Sequence, residues 1–425
     1  MLGGFDTGWT AYPPLSERAE LGQQAFLLTF ITLGVSSIVS AVNFLVTVAR
    51  MRAKGMFLMR MPIFVWALTV TASMVLVATS VVAAAMTMVL FDRLLDTSFF
   101  RPAAGGDPVL FQHLFWFYSH PAVYVMAVPA LGAILEIVPV FARKPLFAYR
   151  LAVLSFISIG LLSFMVWAHH MFVSGMAEFF HIPIMATTEL ISVPTGIVFL
   201  SAIGTIWLGR LRFEVPMLWV FGFLWAFLIG GITGVFLADV PTDIVLSDTY
   251  FVVAHFHYTI VGGMVYGLFA GTYYWFPKMT GRMLDARLGR IHFWMFTIAF
   301  NATFLPMFAL GLDGMRRRVA DYPPELANLN LLASASSAFI TLSVLVFVVN
   351  VLRSWRRGPR AGANPWDART LEWKVASPPP VENFGDDPEV SDGPYGYGGP
   401  GLAGAAGAPG AGAPVAVQPG TAASG

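Results

Sequence analysis

The sequence predicts an all-α protein that crosses a membrane many times. Of its 425 residues, 57% are hydrophobic and only 12% are charged, and the mean hydropathy is +0.70, a balance far too apolar for a soluble globular domain. Apolar runs of more than about 18 residues, the length that a helix needs to cross a bilayer, recur along the chain. Each run is expected to be helical, because backbone polar groups in lipid must be satisfied within the segment.

Nine candidate spans follow one another along the chain. They cover residues 24–49, 62–91, 109–139, 148–174, 182–208, 216–239, 250–276, 290–312 and 330–352. Arginine and lysine follow the odd-numbered spans, whereas the other loops carry aspartate and glutamate. By the positive-inside rule, the carboxyl terminus is predicted to be cytoplasmic and the amino terminus to lie outside. One basic run, Arg316 to Arg318, breaks this alternation on the outer side.

The two ends of the chain differ from its membrane part. Residues 1–20 contain no apolar segment to drive export, so either the first span carries its own short tail outward or further helices precede it. We predict a membrane domain over residues 1–358 and a cytoplasmic tail over residues 359–425. The tail is expected to be largely disordered, because about thirty residues at its end are Gly/Ala/Pro-rich low-complexity sequence.

Composition also limits the chemistry. The net charge of +1 suggests no nucleic-acid partner. The chain has no cysteine, which excludes disulfides, thiolate metal sites and iron–sulfur clusters. Any metal must therefore be held by histidine or oxygen ligands.

Six of the eight histidines fall within predicted spans, namely His113, His120, His169, His170, His255 and His257. Ionisable groups at membrane depth are expensive and are usually functional. A single histidine could equally be a hydrogen-bonded contact between helices. Six of them, arranged as H-x6-H, HH and HFH on three spans, favour metal ligation.

Helix geometry sharpens this expectation. His255 and His257 are about 200° apart around a helix, so they point to opposite faces and can serve two separate groups. His169 and His170 are about 100° apart and can share a metal only with rotamer adjustment or local distortion. Three neutral imidazoles from two helices suit copper or zinc, and an axial histidine suits haem iron.

A tyrosine accompanies the histidine of the third span. His120 and Tyr124 lie on one helix face, about 6 Å apart along the axis. Pro121, between them, cannot donate a backbone hydrogen bond, which predicts a local loosening or kink.

Six segments occur in one order between residue 6 and about residue 355: TGWTAYPPL, GGDPVLFQHLFWFYSHPAVYVM, MVWAHHMF, SVPTG, DIVLSDTYFVVAHFHY and GMRRRVADYP. Together they resemble subunit I of the haem–copper oxidases, the cytochrome c oxidase family. The resemblance implies a multi-pass enzyme of a bacterial-type plasma membrane that reduces O2 to water with electrons from cytochrome c, coupled to proton translocation.

The resemblance also implies metal ligands. His120, His169 and His170 match the three copper ligands. His255 matches the axial ligand of the high-spin, a3-like haem, and His257 matches a ligand of the low-spin haem. Tyr124 matches a tyrosine covalently joined to the first copper ligand, which supplies an electron and a proton when the O–O bond breaks.

Several further residues match positions near the cofactors. Trp116 matches an aromatic residue packed on the copper imidazoles. Arg317 and Arg318 match a pair that neutralises haem propionates, since guanidinium pairs bidentately with carboxylates. Trp9 and Asp243 match outer residues near those propionates.

The proton pathways depart from the family pattern. Many members have a glutamate where Ala122 stands, and Tyr118 and Ser119 resemble a variant whose hydroxyls take over proton delivery. The lysine of the second pathway is replaced by Val198, although Thr195 is retained. Valine cannot relay protons.

Two other sites depart as well. Thr188 matches a residue close to the copper, and Glu189 follows it where an apolar residue is usual. We expect Glu189 to be a buried carboxyl that carries protons or ligates a metal, or else makes a satisfied contact between helices. Ser247 replaces the histidine of the family's magnesium site, which leaves Asp248 as its candidate ligand.

The family has twelve helices, and this chain matches helices four to twelve. The missing part would carry the second ligand of the low-spin haem, so we expect an upstream polypeptide to supply it. Further expected partners are a subunit II-like copper protein, which would hold the electron-entry site, subunit III, and cytochrome c or a similar donor.

Three functions remain open. The first is the O2 reductase, favoured by Tyr124. The second is a nitric oxide reductase of the same superfamily, a class that often lacks the proton pathways and places extra glutamates near the non-haem metal, as Val198 and Glu189 suggest. The third is an inactive fragment that needs a separate N-terminal partner and binds little or no haem.

Overall fold

The fold is a bundle of helices, seen in a computed structural model that describes residues 3–397. Its helices are α1 Leu21–Arg50, α2 Ile63–Leu94, α3 Pro108–Ala142, α4 Tyr149–Leu162, α5 Glu178–Ile206, α6 Val215–Ala238, α7 Tyr250–Thr280, α8 Ala286–Leu312 and α9 Pro324–Arg357. Over residues 3–397, eight helices are long and apolar enough to cross a membrane, and α4 is a shorter apolar helix of 14 residues. The predicted all-α, multi-span class is confirmed.

Helix α3 lies at the centre of the bundle, and 78% of its most apolar window is buried. It begins with Pro108 after Asp107, whose carboxylate accepts the Val109 N–H at 2.8 Å, a regular N-cap. The helix continues through Pro121, Pro129 and Pro139. The loosening predicted at Pro121 therefore does not end the helix.

The fourth predicted span differs from the structure. The sequence predicted a continuous helix over residues 148–174, but α4 ends at Leu162. An irregular connection follows, and a short 3₁₀ helix, Trp167–Met171, carries the two adjacent histidines. Non-helical backbone is tolerated at membrane depth only where protein surrounds it, and Val166, Ala168 and Met171 are buried.

Two other helices are irregular beside the same region. Helix α5 consists of His181–Leu190 and Ser192–Ile206, which meet at Ile191 three residues before Pro194. Helix α7 contains a π-helical turn, Val261–Val265, shortly after its HFH sequence. Such π turns occur frequently at functional sites.

The first part of the predicted tail is packed against helix ends. Trp366, Trp373, Tyr395 and Tyr397 join the main hydrophobic cluster of the bundle. The boundary at residue 358 stays a prediction. The expectation of disorder rests on the low-complexity end of the tail. That end, from residue 398 onward, lies outside the described residues.

Close contact between α3 and α7 generates a first prediction. A Cβ added at Gly267 would lie 2.6 Å from the Ala130 Cβ, whereas one added at Gly196 would meet nothing within 4 Å. We expect Gly267→Ala to lower the free energy of unfolding by about 1–3 kcal/mol through overpacking. Gly196→Ala should leave it unchanged or raise it by up to about 1 kcal/mol through helix propensity. Thermal unfolding in detergent measures both, and equal midpoints would contradict the packing described.

Candidate metal centre

Three imidazole rings converge where α3 meets the irregular segment after α4. His120 Nδ1 lies 3.1 Å from His170 Nε2, and His169 Nε2 lies 3.1 Å from the same atom. One nitrogen from each ring falls within 4.8 Å of the others. His169 and His170 lie on the 3₁₀ helix Trp167–Met171, so the backbone that carries them departs from a regular α-helix.

A threonine on α5 orients one of these rings. The Thr188 hydroxyl donates to the Ile184 carbonyl at 2.6 Å, so its oxygen is free to accept from His169 Nδ1–H at 3.2 Å. Nε2 of His169 is then the nitrogen with the lone pair, and it faces His170. The sequence had singled out Thr188, and the structure brings it to the cluster.

The cluster fits a shared metal ion better than a hydrogen-bonded group. Two nitrogens each about 2.0 Å from one ion stand about 3 Å apart, which the two 3.1 Å separations match. Three imidazole donors suit copper or zinc. The group is compatible with the predicted copper site.

Tyr124 lies beside this cluster. Its ring centroid is 4.8 Å from that of His120, as expected for residues one turn apart. His120 Nε2 is buried and, within residues 3–397, has no hydrogen-bond partner. It is the ring nitrogen opposite Nδ1, and Nδ1 is the atom that contacts His170.

Trp116 stacks on the cluster through the ring of His170. Its ring lies 3.9 Å from the His170 ring at an interplanar angle of 15°. Its Nε1 donates to the Tyr12 hydroxyl at 2.5 Å, and burial raises the pKa of Tyr12 to about 12. Trp9 packs against Trp116 edge-on at 5.8 Å. Tyr12 was missed from the sequence, although it belongs to the same TGWTAYPPL segment as Trp9.

The two histidines of α7 point to different neighbours, as predicted. His255 Nδ1 lies 3.1 Å from the Thr233 hydroxyl of α6, which itself donates to the Ile229 carbonyl. His257 Nδ1 lies 2.8 Å from the Val253 carbonyl, and its ring stacks on Phe304 of α8 at 3.9 Å. Both rings thus have Nδ1 satisfied and present Nε2 as the acceptor. That is the state in which imidazole ligates haem iron.

The loops that follow α6 and α8 place acidic and basic groups together. Arg317 pairs with Asp248, with an Nε to Oδ1 distance of 2.7 Å. Asp243 is buried on the short helix Val240–Leu246, and burial together with nearby Asp248 raises its pKa to about 7, against the opposing effect of Arg317. Asp248, the predicted magnesium ligand, is thus engaged by a guanidinium. No ion pair of Arg318 is found within residues 3–397.

The predicted proton-path residues are only partly brought together. Tyr118 and Ser119 lie on α3 directly before His120, and the buried Ser119 hydroxyl has no partner within the described residues. The Thr195 hydroxyl donates to the Ile191 carbonyl of its own helix. Val198 is fully buried.

The expectation for Glu189 is wrong in one respect. Its side chain is exposed, not buried, because α5 turns Thr188 towards His169 and the next residue, about 100° further round, faces outward. Its exposed neighbours Ile182, Leu190 and Val193 are apolar. Glu189 is therefore not among the groups that converge on the cluster.

His113 is also separate from the cluster. Its Nδ1 accepts from Trp167 Nε1 at 3.3 Å, and their rings meet edge-on.

Thr233 was a further residue missed from the sequence. No sequence pattern pointed to it, because it lies 22 positions from His255 on another helix.

Removing one ring of the cluster should strongly weaken metal binding there. We expect His169→Ala to lower the affinity for Cu²⁺ by more than about 100-fold, since changes even outside the ligand shell cost 10- to 100-fold. His113→Ala removes a nearby imidazole that faces Trp167 and should leave the affinity unchanged. Competition with a chelator measures both affinities. Equal losses in the two variants would contradict the three-ligand arrangement.

Tyr12 should act through Trp116 on the ring of His170. We expect Tyr12→Phe to lower the Cu²⁺ affinity several-fold, up to about tenfold, which is the effect of losing one hydrogen bond. The copper content at saturation should not fall. Tyr149→Phe removes a hydroxyl that donates to the Met61 carbonyl, away from the site, and is the matched control. If both variants bind copper like the original chain, Tyr12 does not position Trp116.

Comparison with known proteins agrees with the site. The family model described as Cytochrome C and Quinol oxidase polypeptide I matches residues 1–353. Cytochrome c oxidase subunit 1 of Synechocystis sp. is 50% identical over 398 residues, which cover 93% of this chain and 72% of that protein. The same subunit of Thermostichus vulcanus is 46% identical, covering 94% of this chain and 72% of the relative.

A solved structure agrees at the level of the fold. A cryo-EM structure of a haem–copper terminal oxidase dimer has a TM-score of 0.62 to this chain, with 21% sequence identity, and the match covers 71% of this chain and 58% of that one. The family-model match and the two bacterial relatives together place the sequence in one group. The chain belongs to the cytochrome c and quinol oxidase polypeptide I family.

Proposed function

We propose that this chain is the catalytic subunit of a terminal respiratory oxidase that reduces O2 to water with electrons from cytochrome c, coupled to proton translocation. The observation that carries the proposal is Tyr124, whose ring centroid lies 4.8 Å from that of His120, one of the three clustered imidazoles. A phenol there can give both a proton and an electron to a substrate bound at the cluster. The relatives named cytochrome c oxidase subunit 1 support the same reaction.

In this proposal the histidines divide among three metals. His120, His169 and His170 would hold the copper, His255 a high-spin haem of the a3 type, and His257 one side of a low-spin haem. The haem and copper supply the place where O2 binds and receives electrons. The protein contributes neutral imidazoles whose Nδ1 atoms on His169, His255 and His257 are held by oxygen acceptors.

Protons would reach the site along α3. Tyr118 and Ser119 end next to His120, and the unpartnered Ser119 hydroxyl supports a proton-conducting water there. Val198 is fully buried at the position where a lysine would conduct protons along a second pathway. Valine cannot relay protons, so Thr195 has no proton-carrying partner in that pathway. Thr188 would position His169 rather than carry protons. Glu189 would be a proton carrier only if a neighbouring subunit covers it.

The outer groups would receive the haem propionates. Arg317 and Arg318 supply the positive charge, and Asp243 lies close to Arg317. Trp9 contacts Trp116, whose hydrogen-bond partner Tyr12 is near both arginines. Asp248 already pairs with Arg317. A propionate or a cation would therefore have to displace one member of this pair, which argues against a dedicated magnesium site.

The location and partners follow from the same proposal. The protein would lie in a bacterial-type plasma membrane with the strongly basic helix ends and the carboxyl terminus in the cytoplasm. Electrons would enter through a subunit II-like copper protein, because this chain has no cysteine for an electron-entry copper site. Subunit III would complete the assembly.

A second candidate is the reduction of nitric oxide. One observation favours it: Val198 is fully buried where a proton-conducting lysine stands in oxygen reductases. Nitric oxide reduction needs fewer protons from the cytoplasm. The exposed position of Glu189 removes the other argument for this reaction.

Spectra and turnover decide among these functions. We expect reduced-minus-oxidised and carbon monoxide difference spectra of the purified protein to show a high-spin haem, and O2 consumption with reduced cytochrome c to exceed nitric oxide consumption in one preparation. Tyr124→Phe should lower O2 turnover by at least about 100-fold, because proton transfer by a positioned group contributes 10²–10⁴-fold. Tyr149→Phe is the control for the loss of a phenol. Absence of a high-spin signal would exclude both enzymes, and faster nitric oxide consumption would select the second.

A further inference from the structure

Residues 359–397, here called the strap, are anchored at the end of α7. The buried Lys278 ammonium donates to three strap carbonyls, those of Ala363, Val375 and Ala376, at 2.9, 2.7 and 3.1 Å. It also lies 5.2 Å from the ring centre of Trp373. A buried ammonium needs all three of its donors satisfied, and the strap supplies every acceptor.

A second anchor holds the strap at the end of α3. Arg143 donates to the Asp367 carboxylate at 2.7 Å and to the Trp366 carbonyl at 2.9 Å. The Trp366 indole donates to the Tyr274 carbonyl at 2.8 Å. The strap thus crosses the ends of α7 and α3 before it reaches the start of α2.

The first turn of α2 has no cap of its own. It begins after Pro62, which offers no side-chain acceptor for the helix N–H groups. The Ile63 N–H instead donates to the hydroxyl of Tyr395 at 2.7 Å, and the Phe64 N–H donates to Glu136 Oε2 at 3.2 Å. A phenol from the strap and a carboxylate from α3 therefore cap α2 from outside.

The two capping groups are bonded to each other. The Tyr395 hydroxyl donates to Glu136 Oε2 at 2.6 Å, and the side chains are buried, with 9% and 2% of the two residues exposed. Burial raises the pKa of Tyr395, which keeps its proton available for this bond. Glu136 has no counter-ion within hydrogen-bond reach among the described residues, so its satisfaction depends on Tyr395 and the Phe64 N–H.

We propose that the strap is a latch, in which Tyr395 closes over Glu136, caps α2 and separates this carboxyl from solvent. Opening the latch leaves the Ile63 N–H and one lone pair of Glu136 unsatisfied, and water must enter to bond them. The closed latch therefore holds the ends of α2 and α3 together, and the open latch makes Glu136 accessible.

The test uses the full chain in detergent with two tyrosine variants. Tyr395→Phe removes the central hydroxyl, whereas Tyr397→Phe is the matched control, because the Tyr397 hydroxyl makes only a 3.5 Å contact to the Asp367 carbonyl. Two readouts are taken by peptide mass spectrometry: amide hydrogen exchange in residues 62–66, and modification of Glu136 by a carbodiimide with an amine.

We expect Tyr395→Phe to raise both readouts about tenfold, the factor that one lost hydrogen bond gives. Tyr397→Phe should stay within twofold of the original chain. Glu136→Gln keeps a carbonyl oxygen for the phenol and should preserve the exchange protection while abolishing the modification. Unchanged exchange and modification in Tyr395→Phe would overturn the latch.

A measurement without variants covers the case in which Tyr395→Phe does not fold. In the original chain, exchange at low denaturant should show residues 62–66 and 388–397 opening together, because a single bonded unit opens in one step. Fast exchange of residues 388–397 beside full protection of residues 62–66 would overturn the proposal.

Discussion

Three imidazole nitrogens converge at one point inside a bundle of helices, and the rest of the structure depends on this constraint. A regular α-helix separates adjacent side chains by about 100°, so an adjacent histidine pair needs rotamer adjustment or local distortion to aim both rings at one point. In this chain α4 ends at Leu162, and His169 and His170 lie on a short 3₁₀ helix beyond an irregular connection. Such backbone has to be enclosed by protein, which is why α3 and α5 pack around it.

The same arrangement orients three of the histidines. In each case an oxygen from the protein holds Nδ1 and leaves Nε2 for a ligand: the Thr188 hydroxyl for His169, the Thr233 hydroxyl for His255 and the Val253 carbonyl for His257. Both threonines donate their own hydrogen to a carbonyl of the preceding turn, so their role as acceptor is unambiguous. The tautomers are therefore determined by helix backbone, independently of any metal.

The sequence predicted the helical class, eight of the nine spans and the three histidines that cluster, because apolar length and histidine spacing are local properties. His120 with Tyr124, and the opposed His255 and His257, follow from helix periodicity alone. The end of α4 at Leu162 was not predictable, since residues 163–174 remain mainly apolar and contain neither proline nor glycine. The outward direction of Glu189 depends on which side of α5 contacts the cluster, and that is a tertiary property.

The cap of α2 also has a consequence for biosynthesis. Tyr395 lies 259 positions after Glu136, so the group that completes the first turn of α2 is synthesised long after α2 and α3 themselves. Until residues 359–397 have been made, the Ile63 N–H lacks its Tyr395 acceptor and the Lys278 ammonium lacks its three carbonyls. Completion of these helix ends is therefore coupled to the synthesis of a segment far downstream in the chain.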